Sequence, residues 1–171
     1  IMSLTPIRKA SARYAALVTA LLTLTAFHPG AHDGAKVTPA KATSTPVGAN
    51  TAIGTVEAFH AALSRGDTDA ALALLSEDVL IFESGGVERS RAQYAAHHLQ
   101  ADAEFSKAVT RTLESRTSGG SGTLAWVTST EKVAGTFRNS AINSRSIETM
   151  LLTKSDAGWR ISHIHWSSAK L

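Results

Sequence analysis

From Ser106 onward the chain divides almost without remainder into four long segments of strand character: Ser106 to Thr117, Gly122 to Thr136, Ser144 to Ser155 and Gly158 to Ala169. The connectors Ser118-Gly119-Gly120-Ser121 and Asp156-Ala157-Gly158 are short and carry glycine, as hairpin turns require. Strands joined this tightly pair antiparallel, so the segment predicts a meander. One face of such a sheet has to be covered, and the covering material stands earlier in the chain.

Ile53, Val56, Phe59, His60 and Leu63 recur at helical spacing, and Arg65-Gly66-Asp67 supplies a stop. A second short helix is predicted from Thr68 or Asp69 through Leu75. Asp78 to Glu83 then reads as a strand ending at the turn Ser84-Gly85-Gly86. Ser90 can cap a third helix that runs to about Phe105. Helices first and a run of strands afterwards predict an α+β domain with its helices on one face of an antiparallel sheet.

Composition bounds the rest. With 171 residues, 43% of them hydrophobic, the chain suffices for one globular domain plus extensions. Cysteine is absent, which excludes disulfides, thiolate catalysis and Cys-based zinc sites. The formal charge of +3 owes most to Arg8, Lys9 and Arg13, and no basic stripe interleaves the few aromatics, so no nucleic-acid partner is expected.

Those three basic residues precede the apolar run Tyr14 to Phe27, which has the length of a signal h-region and falls short of an ordinary membrane span. Residues 1–35 are read as a signal peptide or an uncleaved N-terminal anchor, the latter being the one expected contact with a membrane. The Pro-, Ala- and Thr-rich residues 36–50 are read as a flexible spacer, and 51–171 as the domain. The expected location is periplasmic or secreted.

The order of elements and their wording resemble a family. Leu63-Ser64-Arg65-Gly66-Asp67 ending a first helix, Ala71-Leu72 and Leu75 in a second, the strand Val79-Leu80-Ile81-Phe82, and the closing Gly158-Trp159-Arg160-Ile161-Ser162-His163-Ile164-His165-Trp166-Ser167-Ser168 are similar to the nuclear-transport-factor-2-like, or SnoaL-like, superfamily. The resemblance covers about Thr51 to Lys170. It implies a strongly curved sheet wrapped as a cone around the helices, a cavity open at one end, and a homodimer formed through the outer sheet face. Members include isomerases, dehydratases, cyclases and oligomerisation modules, so the fold does not name an activity.

Two sets of polar residues are candidates for the site. On a continuous third helix, Gln93, His97, Gln100 and Glu104 fall on the solvent side, while Ala95, His98, Leu99 and Asp102 fall opposite. His98 and Asp102, four residues apart, are therefore expected to face inward and to bond each other, with Tyr94 one turn away. On the last strand, straight alternation places His163 and His165 on the face of Trp159 and Ile161, lining the cavity. Arg160, Ser162, Ile164, Trp166 and Ser168 take the other face, for a dimer partner to cover. Glu83, beside a Gly-Gly turn, is a further candidate.

Three readings of this constellation remain open. The first is a small, largely apolar ligand held by Tyr94, His98, Asp102, His163, His165 and Glu83. The second is acid–base catalysis of the isomerase, dehydratase or cyclase type, with His98, Asp102 and His163 as the catalytic groups. The third is zinc or copper held by His98, Asp102, His163 and His165. There is no Gly-x-Ser-x-Gly elbow, and the Gly-Gly run before Gly122 has neither lysine nor a following helix, so no nucleotide cofactor is expected.

Overall fold

A computed structural model of the protein describes residues 51–171. The expected export segment and spacer lie outside the described residues. Thr51 caps α1 (Ala52–Arg65), its hydroxyl accepting the Gly54 N–H at 3.0 Å. Gly66 ends the helix in the left-handed region (φ 72°), where its N–H reaches the Ala62 and Leu63 carbonyls; a side chain there would be strained. Val56, Phe59 and Leu63 form the buried face of α1, as their spacing predicts. Asp67 caps α2 (Thr68–Ala73) in turn.

The first strand, β1 (Leu75–Glu83), begins ahead of the expected Asp78. It turns through Ser84 and Gly85, at φ 51° and 82°, into a short strand, β2 (Gly86–Glu88), which the sequence does not announce. The third helix, expected as one, is two: α3 (Arg91–His97), capped by Ser90, and α4 (Leu99–Ala108), joined at His98 with φ −115° and ψ −30°. Four long strands follow: β3 (Val109–Ser121), β4 (Leu124–Phe137), β5 (Ser140–Ser155) and β6 (Gly158–Lys170).

These strands form one six-stranded sheet in the order β2-β1-β6-β5-β4-β3. Every neighbouring pair is antiparallel except β1 and β6, which run parallel because the chain leaves β1 through helices and returns only at its end. The helices cover one face. α1 packs against α4, α2 and the inner sides of β4 and β6 around a core that includes Phe59, Leu74, Tyr94, Met150, Leu152 and Ile164.

One irregularity decides what the last strand displays. Leu152 pairs with Ile161 and Leu151 with His163, so Ser162 is an extra residue in β6. Such a bulge resets the alternation beyond it. Ile161 and Ile164 therefore both face the core, and both are fully buried. Trp166 follows them inward, where it stacks on Phe59 with ring centroids 6.4 Å apart. The expectation from straight alternation is thus corrected: His163 and His165 lie on the outer face, against the edge of Phe82, and Ile164 and Trp166 are not left for a partner to cover.

Candidate functional site

Between α1, α4 and the inner sheet face lies a cavity of about 130 Å³. Its polar groups come from separate elements. Glu83 ends β1, Asp102 opens α4, His60 projects from α1 and Arg111 from the inner face of β3. Ser106 of α4, Ser144 and Ser146 of β5 and Ser168 of β6 add hydroxyls. Leu63, Phe105, Val133 and Trp166 supply the apolar part of the wall.

Two carboxyls dominate the electrostatics. Asp102 accepts a 2.8 Å hydrogen bond from the hydroxyl of Tyr94, itself 1% exposed. Burial raises the Asp102 pKa above its ordinary 3.8, against the opposing effects of the Tyr94 bond, His98 and Arg111. Glu83 sits at the rim, its side chain reaching solvent while protein surrounds the cavity side. Partial burial and then the charge of Asp102 raise its pKa above 4.5, with His98 and Arg111 pulling the other way. Burial and Asp102 also push the Tyr94 hydroxyl far up, so it stays a neutral donor.

Arg111 is the central cation. Its Nε donates to Glu131 at 2.7 Å, and its charge reaches Glu83, Asp102 and Glu148. Glu148, 1% exposed on β5, accepts the Trp166 indole N–H at 2.6 Å and lies 2.8 Å from His60 Nε2. That histidine contact lacks the alignment of a hydrogen bond, and Glu148 Oε1 has no hydrogen-bond partner among the described residues. Burial acts to raise the Glu148 pKa, but His60, Trp166 and Arg111 outweigh it and the value falls below 4.5.

Of the residues singled out from sequence, Glu83 and Asp102 line the cavity, and Tyr94 reaches it through Asp102. The His98 side chain does not bond the Asp102 carboxylate, although the Asp102 backbone N–H donates to the His98 carbonyl at 2.9 Å. Its imidazole is 58% exposed and is held instead by Glu88 of β2. His97 lies 3.5 Å from the other oxygen of the same carboxylate. His98 keeps an electrostatic role, since its charge reaches both Glu83 and Asp102. Ala95, expected inward, is exposed.

His163 and His165 do not line the cavity. The Nδ1–H of His163 donates to the Leu80 carbonyl at 2.8 Å. The four-donor metal set of His98, Asp102, His163 and His165 is therefore corrected, because the sheet separates its members. Among the described residues no group of three or more His, Asp or Glu side chains is placed to hold a metal ion. Sequence reasoning passed over His60, Arg111 and Glu148. The one available signal was a histidine on the apolar face of α1 and a glutamate at an inward position of β5.

The comparisons with known proteins agree with this architecture. Residues 54–170 match the model of the SnoaL-like domain. A proposed ketosteroid isomerase from Shewanella frigidimarina is 38% identical, with a TM-score of 0.66 over 70% of this chain and 98% of that one. The CaMKII hub of S. rosetta is 22% identical, with a TM-score of 0.59 over 68% and 93%. A proposed dehydratase of the NTF2-like family from Streptomyces avermitilis is 18% identical, with a TM-score of 0.56 over 67% and 91%. No curated protein matches the chain. With a helix-covered six-stranded sheet and a family match that spans nearly all of the described residues, the chain belongs to the SnoaL-like family of the NTF2-like fold.

Proposed function

We propose that the cavity binds a small carbonyl compound and moves protons on it, in the manner of an isomerase or dehydratase. The observation that carries this reading is the pair of carboxyls, Glu83 and Asp102, which share one cavity and whose proton affinities are both raised. Glu83 at the rim exchanges protons with water readily and is assigned as the base. Asp102, oriented by Tyr94 and less exposed, is assigned as the hydrogen-bonding acid.

In the step proposed, Glu83 takes a proton from the carbon next to the carbonyl, and the C–H electron pair moves to form an enolate. Protonated Asp102 and the Arg111 guanidinium stabilise the charge on oxygen. Return of the proton to a different carbon isomerises the substrate; departure of a β-hydroxyl as water dehydrates it. The description of the Shewanella frigidimarina relative as a proposed ketosteroid isomerase supports the reaction class.

The test is exchange of α-C–H protons of small ketones in heavy water, followed by NMR. Glu83→Gln is expected to slow exchange by about 10²- to 10⁴-fold while the melting transition persists. Equal exchange in the variant and the wild type would overturn the assignment.

We also infer that the domain pairs with a second copy through its outer sheet face. Leu124 (62% exposed), Ile147 (52%) and Leu151 (44%) stand there with Trp126 and Val87, on the face opposite the helices. The likeness to a CaMKII hub supports the reading. Sedimentation is expected to give a dimer for the wild type and a monomer for Ile147→Glu/Leu151→Glu. A monomeric wild type at micromolar concentration would overturn it.

A further inference from the structure

We propose that the cavity takes a short polyhydroxylated compound, a hydroxy-ketone or hydroxy-acid, and not the largely apolar ligand that the sequence suggests. The inference deepens the acid–base reading of the same cavity, but it stands on the wall and not on the carboxyls. Ser144 and Ser146 face inward from β5, two residues apart on one side of the strand. Ser168 of β6 lies directly opposite Ser146 in the register. Ser106 of α4 lines the same space from the helix layer, so hydroxyls meet the contents from two sides.

None of these four hydroxyls has a protein partner among the described residues. Ser106 and Ser146 are only 7% and 9% exposed, Ser144 is half-buried and Ser168 stands at the exposed mouth. These hydroxyls open onto the cavity, so its water satisfies them, and a ligand that displaces that water without replacing its hydrogen bonds loses affinity. Apolar rings cannot replace them. A wall built for a hydrophobic ligand would carry apolar side chains at these inward strand positions, as Val127, Met150 and Leu152 do deeper in the same sheet.

Size and the remaining groups narrow the class. A cavity of about 130 Å³ equals about four waters of liquid volume. Replacing those waters by the oxygens of a three- or four-carbon chain keeps their hydrogen bonds. Arg111 suits a carbonyl or carboxylate at one end, and the Trp166 ring suits the C–H side of such a chain.

The test uses the full chain and ligand-observed NMR titration with dihydroxyacetone, erythrulose and glycerol, with cyclohex-2-enone as the apolar probe. The three hydroxylated probes are expected to bind the wild type and to weaken by about tenfold, the scale of one or two lost hydrogen bonds, in Ser146→Ala/Ser168→Ala. Cyclohex-2-enone should not distinguish the two proteins. Glu83→Gln should still bind the hydroxylated probes while losing C–H exchange. Unchanged binding of those probes by the double serine variant, tighter binding of cyclohex-2-enone, or binding of none of the hydroxylated probes would each overturn the ligand class. Exchange seen with cyclohex-2-enone alone would overturn it too, while sparing the acid–base reading. Serine-dependent binding without exchange in the wild type would uphold the ligand class and overturn the acid–base reading.

Discussion

Ile164→Asp is expected to abolish cooperative folding, whereas His165→Asp, one residue on, should leave stability within about 1 kcal/mol of wild type. Ile164 is fully buried opposite Met150 in the core, while His165 is exposed on the outer face. Removing most of a buried isoleucine costs roughly 2–5 kcal/mol. Placing a carboxyl there without a partner adds several kcal/mol more, either as a desolvated charge or as a proton taken up against its normal affinity. The sum reaches the whole of an ordinary domain's stability, about 5–15 kcal/mol. Urea unfolding of both variants checks this. The contrast discriminates sharply, because unbroken alternation from Trp159 predicts the reverse: a harmless Ile164→Asp and a disruptive His165→Asp. A folded Ile164→Asp would mean that the Ser162 bulge is not where the register places it.

That residue also marks where sequence reading stops. The long strands of the second half, the face of α1 and the Gly66 stop follow from local patterns, because period and turn chemistry are local properties. The bulge at Ser162 carries no glycine or proline to announce it. It lies where β6 pairs with two neighbours, antiparallel β5 and parallel β1, and the pairing with each shows a register shift. The junction at His98 is equally silent, and the partner of its imidazole, Glu88, lies on β2. The bulge inverts the faces beyond it and so puts His163 and His165 outside, whereas at His98 the side chain alone turns out to Glu88. Glu83, Tyr94 and Asp102 reach the cavity as expected, and Leu99 and Asp102 keep their inward side beyond His98. The pair His60–Glu148 joins α1 to β5, elements far apart in sequence. No spacing rule reaches that far.

Glu148→Ala is expected to lower stability by about 3–5 kcal/mol, the scale of breaking a buried ion pair from one side. The carboxylate is 2% exposed in its side chain, and His60 is 14% exposed beside it. Truncation removes the acceptor of the Trp166 indole N–H and the carboxylate beside His60 at once. Glu148→Gln separates the two effects, since an amide oxygen can still accept from Trp166. Its loss should be smaller, about 1–2 kcal/mol, and should depend on pH. The folded-state pKa of Glu148 lies below the ordinary 4.5, so its ionised form contributes stability that is fully present above 4.5 and is lost as pH falls through the folded value. Glutamine has no such limb. The gap between wild type and Glu148→Gln should therefore be constant near neutrality and close in acid. Asp102 and Glu83 act in the opposite sense: their raised values make the folded state take up protons first, so acidification toward 3.8 and 4.5 favours folding through them. Because both variants retain those two groups, the difference between the curves isolates Glu148. Melting temperatures recorded across the acid range check this, and parallel curves with no closing gap would show that Glu148 is not held ionised by His60 and Trp166. The same carboxylate anchors Trp166, which forms part of the cavity wall. Loss of ligand affinity in Glu148→Ala but not in Glu148→Gln would then follow from the indole's position and not from charge.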